Sequence, residues 1–183
     1  MIQEYSKGGQ NPLTSSKNAV EVYAPQDAIA RTGTDVWDLL RQGGFNLYFR
    51  HAQPSDTSSE NPYLSQLGKE QAKSLGEFLQ KQKIPIQFPV SASPLNRARQ
   101  TAEIAFGQAN VAIDLELAQM NKPYLLDSIP TERFNQVFVG HHFTFGGQIE
   151  PTQLSYLGLV VLKPLGQGRG YTVLNTIEHP FIQ

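Results

Sequence analysis

Two histidines and two arginines in this 183-residue chain stand where an anion-binding pocket can be assembled. His51 directly follows residues 45–50, a run of strand character, and His141 lies two positions past the apolar run Val137-Phe138-Val139. In open α/β sheets ligands collect at the carboxyl ends of strands, so the two can share one pocket although 90 positions separate them. A lone histidine so placed is more often a satisfied structural residue, but two with the same placement shift the balance toward a site. Arg50 precedes His51, and Arg97 falls near the first turn of a predicted helix, where the macrodipole disfavours a cation by about 0.3–1 kcal/mol. A bound anion reverses that sign, because helix N-terminus and guanidinium then attract the same group, and phosphate is the usual ligand. The plainer alternative is that Arg97 or nearby Arg99 extends to solvent along its aliphatic stem.

The elements that must position these groups follow from periodicity. Residues 45–50 alternate Phe45, Leu47 and Phe49 against Asn46, Tyr48 and Arg50, which is strand chemistry. Residues 53–61 are dominated by Ser, Asp, Glu, Asn, Thr and Pro and predict a loop beside His51. Ser65 can cap a helix in which Gly68, Ala72, Leu75 and Leu79 form a buried stripe, with Lys73, Glu77 and Lys81 on the wet side. After an extended piece over residues 88–91, Ser93 is the expected cap and Pro94 the first residue of a second amphipathic helix. Leu95, Ala98, Ala102 and Ala105 would face inward there, and Gly107 would end it. Val137, Phe138 and Val139 suit a strand buried on both faces. Residues 159–162 and 171–174 flank the turn-prone GQGRG segment as a final strand pair. Upstream, Thr34 can cap a short helix carrying Trp37, Leu39 and Leu40 that stops at Gly43-Gly44. Residues 1–32 read as a polar leader, draped or flexible, and residues 33–183 as one domain without internal repeat. Strands alternating with helices predict an α/β fold, a three-layer sandwich with a largely parallel central sheet flanked by helices.

Composition narrows the partners. Fifteen Lys+Arg against 16 Asp+Glu leave no broadly basic field, so no nucleic-acid partner is expected. The absence of Cys excludes thiolate zinc sites, Cys-ligated iron–sulfur clusters, thiol nucleophiles and disulfides, and leaves the redox compartment open. The longest apolar stretch, residues 156–162, is interrupted by Gly158 and falls far short of the roughly 20 residues of a spanning helix, so no membrane-spanning segment is expected. The N-terminal MIQEYSKGGQ lacks a basic-then-apolar signal pattern, which favours a cytoplasmic protein, the alternative being an exported one whose signal was removed earlier.

Three segments together resemble the histidine phosphatase superfamily, also called phosphoglycerate-mutase-like. Leu47-Tyr48-Phe49-Arg50-His51-Ala52 is similar to its Arg-His-Gly signature, with Ala52 in place of Gly. Leu64-Ser65 through Gly68, and then Ser93-Pro94-Leu95-Asn96-Arg97-Ala98-Arg99-Gln100-Thr101-Ala102, resemble the first helix and second-arginine motif. Val139-Gly140-His141-His142 resembles the second-histidine motif. The resemblance implies a metal-independent phosphatase that needs no cofactor. In it His51 attacks a phosphate monoester in line and forms a phosphohistidine, which water hydrolyses. Arg50, Arg97 and His141 would bind the equatorial oxygens and neutralise the charge redistributed in the transition state. Arg99 has no such match, His142 is expected behind the pocket or at the surface, and His179 to be incidental. Positive charge is then expected to concentrate in one pocket, from Arg50, Arg97 and a helix N-terminus, with His141 adding to it when protonated.

The general acid departs from the family pattern. Aligning Leu117-Ala118-Gln119 with the family's Leu-x-Glu puts Gln119 at that position, and an amide cannot donate a catalytic proton as a carboxylic acid does. Glu116 is three positions off and reads better as a solvated carboxylate, which leaves Asp56 and Glu60 in the polar loop as candidates, or a substrate whose leaving group needs little acid. Only 43 residues intervene between Arg97 and His141, fewer than the resemblance implies for mutases, which favours a compact phosphatase with an open pocket. The expected substrate is a phosphorylated small molecule or a phosphoprotein, and phosphohistidine or an acyl phosphate would suit a weak acid best. Two rivals stand beside this reading: a non-catalytic phosphate-binding module of the same fold, and a metal site of His51, His141 and His142. The metal site is disfavoured by the adjacency of the last two and the lack of helical H-x-x-x-H spacing.

Overall fold

The structure, a computed structural model, describes residues 35–56, 58–119, 126–143 and 153–178. The leader over residues 1–32, Thr34 and His179 lie outside the described residues. Helix α1 (Val36–Gln42) is capped by Asp35, whose carboxylate accepts from the Trp37 N–H at 3.2 Å. It leads into β1 (Asn46–Arg50), and α2 (Gln66–Lys81) follows, with the Ser65 hydroxyl accepting from the Gly68 N–H at 2.9 Å as the capping pattern requires. Next come β2 (Val90–Ala92), α3 (Asn96–Phe106), β3 (Val111–Ile113), β4 (Gln136–Gly140), β5 (Leu159–Pro164) and β6 (Tyr171–Ile177).

The six strands form one sheet in the order β3-β2-β4-β1-β5-β6. The first four in that order run parallel, while β5 joins β1 antiparallel and pairs with β6 as a hairpin. The fold is thus α/β with a largely parallel sheet, as the alternation of elements predicts. β1 sits near the centre with β4 and β5 on its flanks, and this placement overrides its sequence alternation. Asn46 and Tyr48 are as fully buried as Leu47 and Phe49.

Side-chain parity then separates two cores. Leu47, Phe49, Val137, Val139, Leu159 and Val161 point to one face, where they meet Leu40 of α1, Ala72, Leu75 and Leu79 of α2, and Ala98 and Ala102 of α3. Tyr48, Phe138, Val160 and Leu162 point to the other and meet Leu117, Leu126, Phe143, Leu154 and Tyr171. The predicted stripe of α2 is the one that is buried. Two of its glycines allow close approach: a Cβ on Gly68 would lie 2.0 Å from the Gln53 carbonyl oxygen, and one on Gly76 2.2 Å from that of Ala105 on α3.

One boundary differs from the sequence reading. α3 begins at Asn96 and not at Pro94, and its N-cap residue Leu95 makes no side-chain capping bond. Asn61 from the polar loop supplies the cap instead: its Oδ1 accepts from the Asn96 N–H at 2.8 Å, and its carbonyl accepts from Asn96 Nδ2 at 3.0 Å. A partner 35 residues away in sequence therefore decides where the helix starts. No helix among the described residues is long and apolar enough to cross a membrane.

Candidate active site

Parallel pairing of β1 with β4 places Arg50 opposite Gly140, and pairing of β2 with β4 places Ala92 opposite Val139. The carboxyl ends of all three strands therefore converge. Backbone bonds extend the ladder past them: the His51 N–H donates to the Gly140 carbonyl and the Ser93 N–H to that of Val139, both at 2.9 Å. His51 and His141 emerge side by side, with ring centroids 5.4 Å apart. Arg97 arrives from the first turn of α3, so the four predicted residues line one open cleft of about 270 Å³ with Pro54, Ser59, Glu60, Pro62, His142 and Tyr156.

The hydrogen bonds of His51 define its chemical form. Its Nδ1 lies 2.7 Å from the Ala52 carbonyl oxygen, which can only accept, so Nδ1 carries the proton. Its Nε2 receives the Arg97 Nε–H at 3.2 Å and therefore presents a lone pair. Burial pushes the His51 pKa down to about 3, opposed by the Ala52 bond and helped by His141 and by the charges of Arg50 and Arg97. Neutral His51 thus carries its electron pair on Nε2, the form a nucleophile requires, with that pair engaged by Arg97. Ala52, where the resemblance expects Gly, has its methyl group fully buried in the first core, and its N–H donates to the Thr101 hydroxyl at 3.0 Å. Thr101 in turn donates to the Arg97 carbonyl at 2.6 Å, tying the segment after His51 to α3.

Arg50 donates to the Leu154 carbonyl at 2.5 Å and its guanidinium carbon lies 4.2 Å from the centroid of the Tyr156 ring. Its buried Nε has no hydrogen-bond partner among the described residues, the kind of cationic donor that an incoming anion satisfies. Burial lowers the pKa of both Arg50 and Arg97, and both guanidiniums remain cationic. His141 is held at two points: its backbone N–H donates to the Tyr48 hydroxyl at 2.9 Å, and its Nε2 lies 2.9 Å from Ser93 Oγ. Burial, then the charges of Arg97 and Arg50, push its pKa down to about 4, so in the empty cleft it adds no positive charge near pH 7. The two arginines are then the standing cations of the cleft.

Several sequence expectations shift. His142 lines the cleft and its Nδ1 accepts the Leu154 N–H at 3.1 Å, so it is part of the wall. Arg99 turns away, donating to Asn96 Oδ1 at 3.2 Å and lying 3.8 Å from Glu103. Of the acid candidates, Glu60 lines the cleft. Asp56 is fully exposed and bound by the Ser58 hydroxyl and N–H, which hold its carboxyl below the usual range. Glu116, exposed, lies within the 3₁₀ turn Leu115–Ala118 and Gln119 ends it, and neither is among the lining residues. Sequence reasoning took Ser93 for a helix cap and passed over Tyr48 and Tyr156 as strand or apolar residues. Their signals exist only in through-space contacts. Among the described residues no group of three or more His, Asp or Glu converges in a way that could hold a metal ion.

A sheet of this order, with paired histidines and arginines at the carboxyl ends of its parallel strands, defines a class. Residues 47–121 match the family model of the histidine phosphatase superfamily (branch 1). Solved structures share the fold. The protein histidine phosphatase SixA complexed with tungstate is similar at 17% identity and a TM-score of 0.57, covering 73% of this chain and 96% of its own. Phosphoserine phosphatase from Entamoeba histolytica, in complex with 3-phosphoglyceric acid, aligns at 14% identity and 0.53, covering 76% and 99%. A putative alpha-ribazole-5'-P phosphatase from Escherichia coli K-12 aligns at 15% and 0.52, covering 77% and 98%. No curated protein matches the chain in sequence.

Proposed function

We propose that the cleft hydrolyses a phosphate monoester or phosphohistidine through a phosphohistidine formed on His51. The observation that carries this reading is the enforced form of His51, with its proton fixed on Nδ1 by Ala52 and its Nε2 lone pair turned to Arg97. Nε2 attacks phosphorus as the bond to the leaving oxygen of a monoester, or to the leaving ring nitrogen of a phosphohistidine, breaks, and the phosphoryl group moves to the His51 ring. Arg50, Arg97 and His141 hold the three equatorial oxygens, and their donors stabilise the charge as it redistributes. Water then attacks the phosphohistidine and releases phosphate, restoring neutral His51. Glu60, which lines the cleft, would protonate a leaving atom or activate that water. A phosphorylated small molecule and a phosphoprotein both suit a cleft this open.

The test is labelling by a phosphorylated substrate. The wild type should acquire an acid-labile, alkali-stable phosphoryl group that maps to His51 and is absent from His51→Ala, and release of phosphate from an aryl phosphate no faster than by His51→Ala would refute the reading. Because Gln119 stands at the family's acid position, a second reading keeps the fold as a phosphate-binding module. It requires vanadate or phosphate binding, lost in Arg50→Ala, without turnover. Acid assistance is read from a Brønsted plot: with weak assistance, rates fall steeply as leaving-group pKa rises, and a slope near zero for poor leaving groups would remove the preference for phosphohistidine or acyl phosphate.

A further inference from the structure

Ser93 is wholly buried at the carboxyl end of β2, and its hydroxyl is not spent on a helix. Asn61 caps α3 in its place. The hydroxyl oxygen instead lies 2.9 Å from His141 Nε2 and accepts the Leu95 N–H in a long bond of 3.4 Å. With a lone pair directed at that N–H, the hydroxyl proton is available to Nε2. The His141 backbone is fixed separately by Tyr48, so of these two hydrogen bonds the Ser93 contact is the one made by the ring itself.

We propose that Ser93 is a positioning residue that donates to His141 Nε2 and so holds His141 as the Nδ1–H tautomer, presenting an N–H to the phosphoryl group. The proposal deepens the phosphatase reading and rests on it for the identity of the anion. A neutral imidazole has one N–H and one lone pair. Were Nε2–H to donate to Ser93, the nitrogen left for the cleft would bring a lone pair against phosphoryl oxygens and repel them. With Ser93 as donor, the free nitrogen attracts them, and it does so without His141 first taking a proton from solvent. Ser93 and Ala52 thus act alike on the two histidines: each engages one ring nitrogen and sets what the other offers.

Long-range 1H–15N NMR of the 15N-histidine-labelled protein at pH 7 reads the tautomer directly, with the His141 signals assigned by their absence in His141→Asn. The expected spectrum has His141 protonated at Nδ1 and a lone pair at Nε2, and inorganic phosphate should perturb the Nδ1 signal. In Ser93→Ala the His141 signals should move toward the other tautomer or an average of the two. Phosphate should bind that variant more weakly, and kcat/KM for an aryl phosphate should fall about tenfold. A wild-type spectrum with His141 protonated at Nε2 overturns the proposal, even if Ser93→Ala fails to fold. So does a folded Ser93→Ala with unchanged tautomer and phosphate affinity. Absence of turnover in the wild type would count against the phosphatase reading alone, because tautomer and phosphate binding are measured without it.

Discussion

At the residue scale the site depends on what its neighbours do to two imidazoles. Each is surrounded by apolar packing and two guanidiniums, so the charged form is disfavoured and the pKa values drop to about 3 for His51 and about 4 for His141. A free histidine near 6.5 would lose nucleophilicity below neutral pH. Buried His51 should not. Once the ionisation of the substrate is allowed for, kcat/KM, which reports the free enzyme, should stay level from pH 7 down to about 4. A limb with its midpoint near 6.5 would show that His51 titrates as an ordinary histidine. The two arginines supply charge that no pH in this range removes, so the cleft can attract an anion while His51 stays neutral.

Elements bring these residues together, and the tightest join is between β1 and β4. Gly140 lies opposite Arg50, where the Tyr48 side chain rises to meet the His141 N–H. A Cβ at residue 140 would stand 2.3 Å from the Tyr48 hydroxyl oxygen and 2.9 Å from its ring carbon Cζ. Gly140→Ala must therefore displace Tyr48 or β4. It should lower the denaturation midpoint by an amount equivalent to about 1–3 kcal/mol and reduce kcat/KM by disturbing His141, measurable by chemical denaturation alongside phosphatase assays. Tyr48→Phe on the same background should relieve only part of the loss, since the ring carbon stays in the way. Full recovery would place the conflict at the hydroxyl alone. The helix stripes and the apolar runs of the strands were legible in the sequence because they depend on spacing along one segment. Where α3 begins was not, because Asn61 caps it from a loop 35 residues away in sequence.

Across the whole molecule, buried neutral histidines tie stability to pH. Between about pH 6.5 and 4 the unfolded chain binds protons at His51 and His141 that the folded chain refuses, so the unfolded state gains. Stability is fully present above the ordinary histidine pKa and is lost as pH falls toward the folded values, by up to about 1.4 kcal/mol per pH unit for each group. Tm should fall between pH 7 and 5, and the fall should be smaller in His51→Asn. Saturating phosphate should raise Tm at both pH values, with about 2.7 kcal/mol of stabilisation at a hundredfold excess over Kd. It should also flatten the slope, since a bound anion favours protonated His141. A Tm that rises on acidification would contradict the burial of neutral imidazoles.

The near-zero net charge of the chain gave no reason to expect a broadly basic surface, and two arginines concentrate positive charge in the cleft. By itself the sequence determined the α/β class, the buried stripe of α2, and the candidacy of His51, Arg50, Arg97 and His141, because spacing along the chain and the order of motifs carry that information. Only the tertiary structure decided that the Ser93 hydroxyl lies against His141, that Glu60 and not Asp56 or Glu116 lines the cleft, and that both faces of β1 are buried. Those outcomes depend on hydrogen bonds and packing between residues tens of positions apart, whose energies exceed the local preferences that a sequence displays.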